Sequence, residues 1–548
     1  MSSTKNKFQF AVTFAACLMV LSSGVFAQNA EIAEAKRLME IDQTQKALDV
    51  LNKGVTTYPT SGAAAYYLGT AQLKAGKRAE ALQTFDKGIA ADAKDALNYT
   101  GKAQLSMMEN APEKAKMDID KALSMTKSKN VSVLQAAARA YMVDPKKAND
   151  AVALLTKAAS IDKENAETQI LLGDAYLQIN DGGKAVSAYE RAASLDNKSA
   201  LAHYKTGRVY LRSRNYDAAQ EAFAKAIQID PSYTLAYKEQ GELFYQMKQA
   251  PQAVEAYKKY LSLTEKPETG QSKMAFYHLM AKDFTSANTI FKELIAKDSL
   301  NPMIHRYYGI SLYEAQDYPA AQTTFEQYLA KAKPEAIEAG DYRYYGLIQM
   351  KQNLDSLATE AFDKSLALDS LQPELLQLSA ESYYKQKKFD ESIDAYQKLF
   401  KAKKPASADY YTLGRAYYFA EKFPQADSTF AKLSELQPNL TVGPFWAARS
   451  KSAQDSTSEN GLAKPYYEKL VEKALLTPEK SKTELIESYL YLGYYSYLKG
   501  QVNPAKDYYK KVLGLDPQNE KAQTAIKALN APAPKANAPA PKAKTGGG

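Results

Sequence analysis

A pattern of small and large apolar residues, renewed about every thirty-four positions, leaves this chain few folds to choose from. Its clearest copy runs from Ala200 to Tyr233. Leu201, Tyr204, Arg208 and Leu211 recur at three- and four-residue steps, as do Ala219, Ala222, Phe223 and Ala226, which is the period of two amphipathic helices. Asn215 and Tyr216 mark the turn between them. Small residues at Gly207 and Ala219 let the two backbones approach closely, Phe223 fills the space beyond, and Pro231, which lacks an N–H, stops the second helix.

The same register extends along most of the sequence. The small residue of the first helix reads Ala35, Gly69, Gly101, Ala138, Gly173, Gly207, Gly241, Ala275, Gly309, Gly346, Ala380, Gly414, Ala448 and Gly493. The small residue of the second helix is alanine in every copy except one, where Ser392 stands in its place. Four residues further on comes a large side chain in every copy, from Leu51 and Phe85 through Phe223 and Phe430 to Tyr509. A chain built this way predicts fourteen stacked helix pairs with no single centre.

The spacing of Gly207, Tyr210, Ala219, Phe223, Ala226 and Pro231 resembles the tetratricopeptide repeat. That resemblance implies an all-α fold, a right-handed α-solenoid superhelix of about fourteen helix-turn-helix repeats. It also implies protein–protein interaction, usually through a concave groove that holds an extended peptide or a helix. The expected organisation is a signal peptide over 1–27, the array over 28–517, a capping helix over 518–530 and an Ala/Pro/Lys/Gly tail over 531–548. Longer steps make the array irregular around 101–151, 330–345 and 450–486.

The leader expectation rests on Lys5 and Lys7, an apolar run from Phe8 to Leu21, and small residues at Val25 and Ala27. It places the mature chain in the periplasm or outside the cell. The rival reading, a lipid-modified Cys17, lacks the usual leucine before the cysteine. Cys17 is the single cysteine, so the mature chain has no disulfide and no thiol ligand for a metal. No other stretch is long and apolar enough to span a membrane. The tail, too poor in large apolar residues to fold, is expected to be extended. Of the formal charge of +9, five lysines lie in the leader and tail, leaving +4 for the array; that mild excess does not argue for nucleic acid.

Nothing in the sequence argues for catalysis, a cofactor or a metal. Phosphate-loop, zinc-protease and nucleophile-elbow motifs are missing. His203, His278 and His305 fall on helix-packing positions, and none shares its face with a second histidine or a carboxylate cluster.

The first-helix wall carries the more specific signal. It presents the residues three before, one after and four after each small residue. Arg139, Arg208, Arg306, Arg343, Arg415 and Arg449 lie there, six of the eleven arginines in the chain. With them stand Tyr204, Tyr245, Tyr313, Tyr384, Tyr411, Tyr418, Tyr494 and Tyr497. Arginine offers carboxylates a planar fork and aromatic rings a flat face, so this set is a candidate ligand groove. The alternative is that Arg and Tyr bridge neighbouring first helices, with Glu167, Asp174, Glu242, Glu374, Glu381 and Glu487 as partners. The leading expectation is a non-enzymatic periplasmic scaffold binding acidic or extended segments of envelope proteins. A glycan or cell-wall binding protein, taking an anionic glycan in the groove, and a regulatory subunit of an envelope enzyme stand as the other readings.

Overall fold

The computed structural model describes residues 28–531, and among them every regular element is a helix. The expected leader, Cys17 with it, and the tail beyond residue 531 lie outside the described residues. Each of the fourteen aligned segments is a helix-turn-helix pair, from 28–40 with Thr44–Thr57 to Lys482–Leu498 with Val502–Leu515. The chain divides into two compact units, Met1–Leu300 and Asn301–Gly548. The first holds pairs one to eight and the second holds pairs nine to fourteen.

Packing follows the pattern of small residues. The second-helix residues from Ala47 to Ala505, Ser392 included, are fully buried, because a second helix seats its backbone there against the first. Ser392 keeps the pattern by donating its hydroxyl to the Ala380 carbonyl at 2.8 Å. The large residues that follow, such as Phe85, Phe223, Phe325 and Phe430, are wholly enclosed, each worth about 1.5–3 kcal/mol of apolar burial. These side chains form separate clusters strung along each unit instead of one centre, which is how a repeat array distributes its stability.

The turns inside the pairs share a backbone feature. Seven residues after the small residue, the chain enters the left-handed region at Asp42, Asn180, Arg214, Lys248, Lys282, Gln316, Asn353, Lys387 and Glu421, with glycine at the equivalent Gly76 and Gly500. A left-handed residue ends a helix by letting the next N–H groups turn back to its last carbonyls. The longer steps hold short 3-10 turns at Pro145–Lys147 and Pro334–Ala336. In pair thirteen the buried Asp455 gathers the inserted loop, accepting from the backbone N–H of Asn460 at 3.4 Å and of Leu462 at 3.2 Å. Beyond pair fourteen the helix Glu520–Asn530 lays Ala522, Ala525, Ile526 and Leu529 on Tyr509 and Val512.

In the first unit the opening pair returns to contact pairs six and seven. Arg37 donates to the Asp230 carboxylate at 2.9 Å and to the Ser232 hydroxyl at 2.7 Å. The helix Thr44–Thr57 has no side-chain cap of its own; instead the Glu265 carboxylate accepts from the backbone N–H of Gln45 and Lys46 at 3.0 and 2.9 Å. An anion at a helix N-terminus is favoured by the free N–H groups and the helix dipole. Leu38, Ile41 and Leu48 join one apolar cluster with Tyr204, Phe223 and Tyr233. The first helices of this unit and the connections between pairs thereby line an open cavity of about 1220 Å³.

Candidate binding surfaces

The six wall arginines have different fates. In the first unit Arg139 reaches Glu167 at 2.5 Å, and Lys36 meets the same carboxylate at 2.6 Å. Burial alone would raise the Glu167 pKa, but Arg139 and Lys36 together hold it below the usual carboxylate range. Arg208 stands 3.6 Å from Glu239 and lies over the Tyr204 ring. Tyr204 is buried, packed on Phe223 and Tyr233. Tyr245 packs on Phe276 and Tyr277 with Lys273 over its ring.

In the second unit Arg306 is committed to structure. Its Nε donates to Asp341 at 2.5 Å and its Nη2 to Glu338 at 2.7 Å. Asp341, 1% exposed, also accepts from the Tyr328 hydroxyl at 2.7 Å. Burial would lower the Arg306 pKa, but the two carboxylates outweigh it and drive it upward. Arg449 grips Glu487 through both Nε and Nη2 while lying over the Phe445 and Trp446 rings. The bridging alternative therefore describes Arg139, Arg306 and Arg449.

Arg343 and Arg415 are different. Arg343 is exposed and has no ion pair among the described residues. Tyr313 and Tyr344, edge to face at 5.7 Å, lie close enough for its charge to act on both. Arg415 is half-buried inside a box of four rings, with its guanidinium carbon 5.3 Å from Tyr384, 5.4 Å from Tyr411, 5.8 Å from Phe419 and 5.4 Å from Trp446. Its Nη1 donates to the Tyr411 hydroxyl at 3.4 Å, and its buried Nε has no hydrogen-bond partner among the described residues. Tyr418 packs edge-on against Trp446 at the side of this box. Tyr494 and Tyr497 are exposed on the last pair.

Six stretches of the chain, 38–105, 142–209, 200–233, 277–337, 374–402 and 486–519, match family models described as tetratricopeptide repeat. Together they span a little over half of the residues. The chain belongs to the tetratricopeptide repeat family. No curated protein sequence matches it. Among solved structures it is similar to the C-terminal part of a tetratricopeptide repeat-containing protein from Cytophaga hutchinsonii, with 32% identity, 46% of this chain and 99% of that one covered, and a TM-score of 0.37. MamA is 30% identical over 31% of this chain and 96% of its own, with a TM-score of 0.26. The Cut9–Hcn1 assembly of the APC/C is 17% identical over 79% and 89%, with a TM-score of 0.32. Tetratricopeptide repeat proteins are generally interaction scaffolds, and the chain is an α-solenoid of that kind.

The histidines of this repeat protein sit in packing positions. His305 is buried, the His203 pKa is lowered by burial, and His278 Nδ1 lies 2.9 Å from Asp283. Trp446 and Phe419, two walls of the Arg415 box, lie off the three first-helix wall positions. The available signal was the single tryptophan, two residues before Ala448. Lys36 stands on the one-after wall position of Ala35, but Glu40 and Tyr233 in the first unit had no local signal, because their elements meet through the contact of Arg37 with Asp230, 193 residues away.

Proposed function

We propose that this protein is a scaffold of the bacterial envelope, exported to the periplasm, whose second unit holds an acidic or carboxylate-ended segment of a partner protein. The observation that carries the reading is Arg415. A half-buried cation needs a counter-charge or water, and the other deeply seated wall arginines have their carboxylates. Arg415 has four rings within 5.8 Å instead, and they orient the guanidinium. A partner carboxylate that reaches its Nη groups would make a charge-assisted pair in an apolar surround, worth roughly 1–3 kcal/mol. Tyr384, Tyr411, Trp446 and Phe419 supply the aromatic contact that interface hot spots use. Arg343 offers a second, exposed cation on the same kind of wall. The leader residues 1–27 support export.

The test is differential capture from an envelope extract. Protein partners retained by the unaltered chain should fall about ten-fold with Arg415→Gln and further with Arg343→Gln added, and protease treatment of the extract should abolish the signal. Equal capture by both variants would contradict the reading. Retention on protease-treated insoluble wall, lost with Arg415→Gln, would favour an anionic glycan in the groove.

A further inference from the structure

Neighbouring pairs in the first unit hold one another through buried apolar side chains. The return of the first pair is built differently, because most of its polar contacts involve a charge. Lys36 reaches Glu167 of pair five at 2.6 Å. Arg37 reaches Asp230 and Ser232 between pairs six and seven. Glu265, between pairs seven and eight, accepts from the backbone N–H of Gln45 and of Lys46, and Gln43 adds a neutral bond to the Leu263 carbonyl at 3.3 Å. These groups lie near water: the Arg37 side chain is 54% exposed, and those of Lys36 and Glu167 are 30% and 35% exposed. Leu38 and Ile41 are the apolar contribution beside them.

Parting this contact strands no charge. Glu167 keeps Arg139, and Asp230 keeps the backbone N–H of Ser232 at 2.9 Å and its hydroxyl at 2.6 Å. Breaking an ion pair is expensive where it leaves a buried charge uncompensated; here both receiving carboxylates have second partners in place. In a repeat array each pair is held by its neighbours, and the helix Thr44–Thr57 packs directly against Gly62–Lys74. Pair one can therefore leave pairs five to eight while it stays stacked on pair two. We propose that the first unit is a ring with an ionic clasp, held shut by the contacts of Lys36, Arg37 and Glu265, which opens with its helices intact as ionic strength rises. Exposed ion pairs are individually weak and screened by salt, so this contact yields before the apolar stacking between neighbours does. Opening withdraws the helix 28–40, which lines the cavity with Lys36, Met39 and Glu40, and lets an extended chain reach the inner wall from the side. The clasp is independent of the Arg415 surface.

Double electron–electron resonance between nitroxides at Asn52→Cys and Ser262→Cys, both exposed and uncharged positions, in the full chain with Cys17→Ser, tests it. In about 0.01 M salt the distance should be single and short. In about 1 M salt, where the screening length falls from about 30 Å to about 3 Å, a longer component should grow about three-fold or more. Arg37→Gln combined with Glu265→Gln should give that longer component already at low salt, with the helical circular dichroism unchanged. Arg415→Gln should leave the distances as they are, which separates the clasp from the partner surface. A single short distance that persists at high salt, or in the folded double variant at low salt, would overturn the proposal. Should the double variant fail to fold, the salt series on the unaltered clasp decides alone.

Discussion

The Phe223 ring lies so close over Gly207 that a methyl group added at Gly207 would fall 2.6 Å from its edge. The same relation joins Gly69 to Phe85, Gly309 to Phe325, Gly346 to Phe362 and Gly414 to Phe430. The glycine therefore belongs to the core, as the floor under the large residue of the second helix.

Two opposed forces act on Gly207→Ala. Helix propensity favours alanine by about 1 kcal/mol, while overpacking a closed core costs about 1–3 kcal/mol. With the ring wholly enclosed it cannot yield, so the substitution should destabilise the first unit by up to about 2 kcal/mol. Gly340, also helical, has nothing within 4 Å of an added methyl, so Gly340→Ala should be neutral or stabilising by up to about 1 kcal/mol. Urea unfolding followed by circular dichroism checks both.

The left-handed turn residues give a prediction of opposite sign. Lys248, Lys282 and Lys387 each hold φ near 61°, a conformation that costs a side chain about 1–2 kcal/mol and glycine nothing. Replacing each with glycine should stabilise its unit by about 1 kcal/mol once the unfolded chain's added freedom is deducted. Gly76→Ala and Gly500→Ala should destabilise. Denaturant midpoints measure all five.

Arg306 and Arg343 look equivalent in the aligned sequence, each three residues before its small residue, yet their substitutions should differ sharply. Arg306→Ala leaves Asp341 buried with its charge uncompensated, at a cost of about 3–5 kcal/mol. Arg343→Ala removes an exposed group without an ion pair and should lie within about 0.5 kcal/mol of the unaltered chain. Thermal unfolding of the two variants distinguishes them.

Glu167 and Glu40 face one cavity and should respond to acid in opposite directions. The Glu167 pKa is depressed, so its contribution is present above the ordinary carboxylate pKa and is lost as pH falls through the depressed value. The Glu40 pKa is raised, so its ionised form costs stability at neutral pH, and the cost disappears as pH falls through the raised value. Glu40→Gln should raise the Tm at neutral pH and cease to matter in acid. Glu167→Gln should lower the Tm at neutral pH, by less as the pH drops. Melting curves across about pH 3 to 8 read both signs.

The array was legible because its rule is local. Ala219, Phe223 and their equivalents each answer to a neighbour twelve or sixteen residues away, and the same answer recurs in every copy. The turn conformation at Lys282 was hidden, since most copies fill a glycine-favouring site with other residues. Which wall arginines remain available was also hidden. Asp341 takes Arg306 from thirty-five residues away and Glu487 takes Arg449 from thirty-eight, distances that vary with every insertion. Least visible was the cavity of the first unit, beside which Gln45 meets Glu265 across 220 residues with no periodic trace.

Site-specific photo-crosslinking asks most directly whether the partner meets the Arg415 wall. A photoreactive phenylalanine at Phe419, 43% exposed beside the guanidinium, should capture envelope protein. The same group at Lys398, on the exposed side of the second helix Phe389–Ala402, should not. Crosslinks from Lys398 with none from Phe419, or crosslinks from Phe419 that persist when Arg415 is changed to glutamine, would contradict the account.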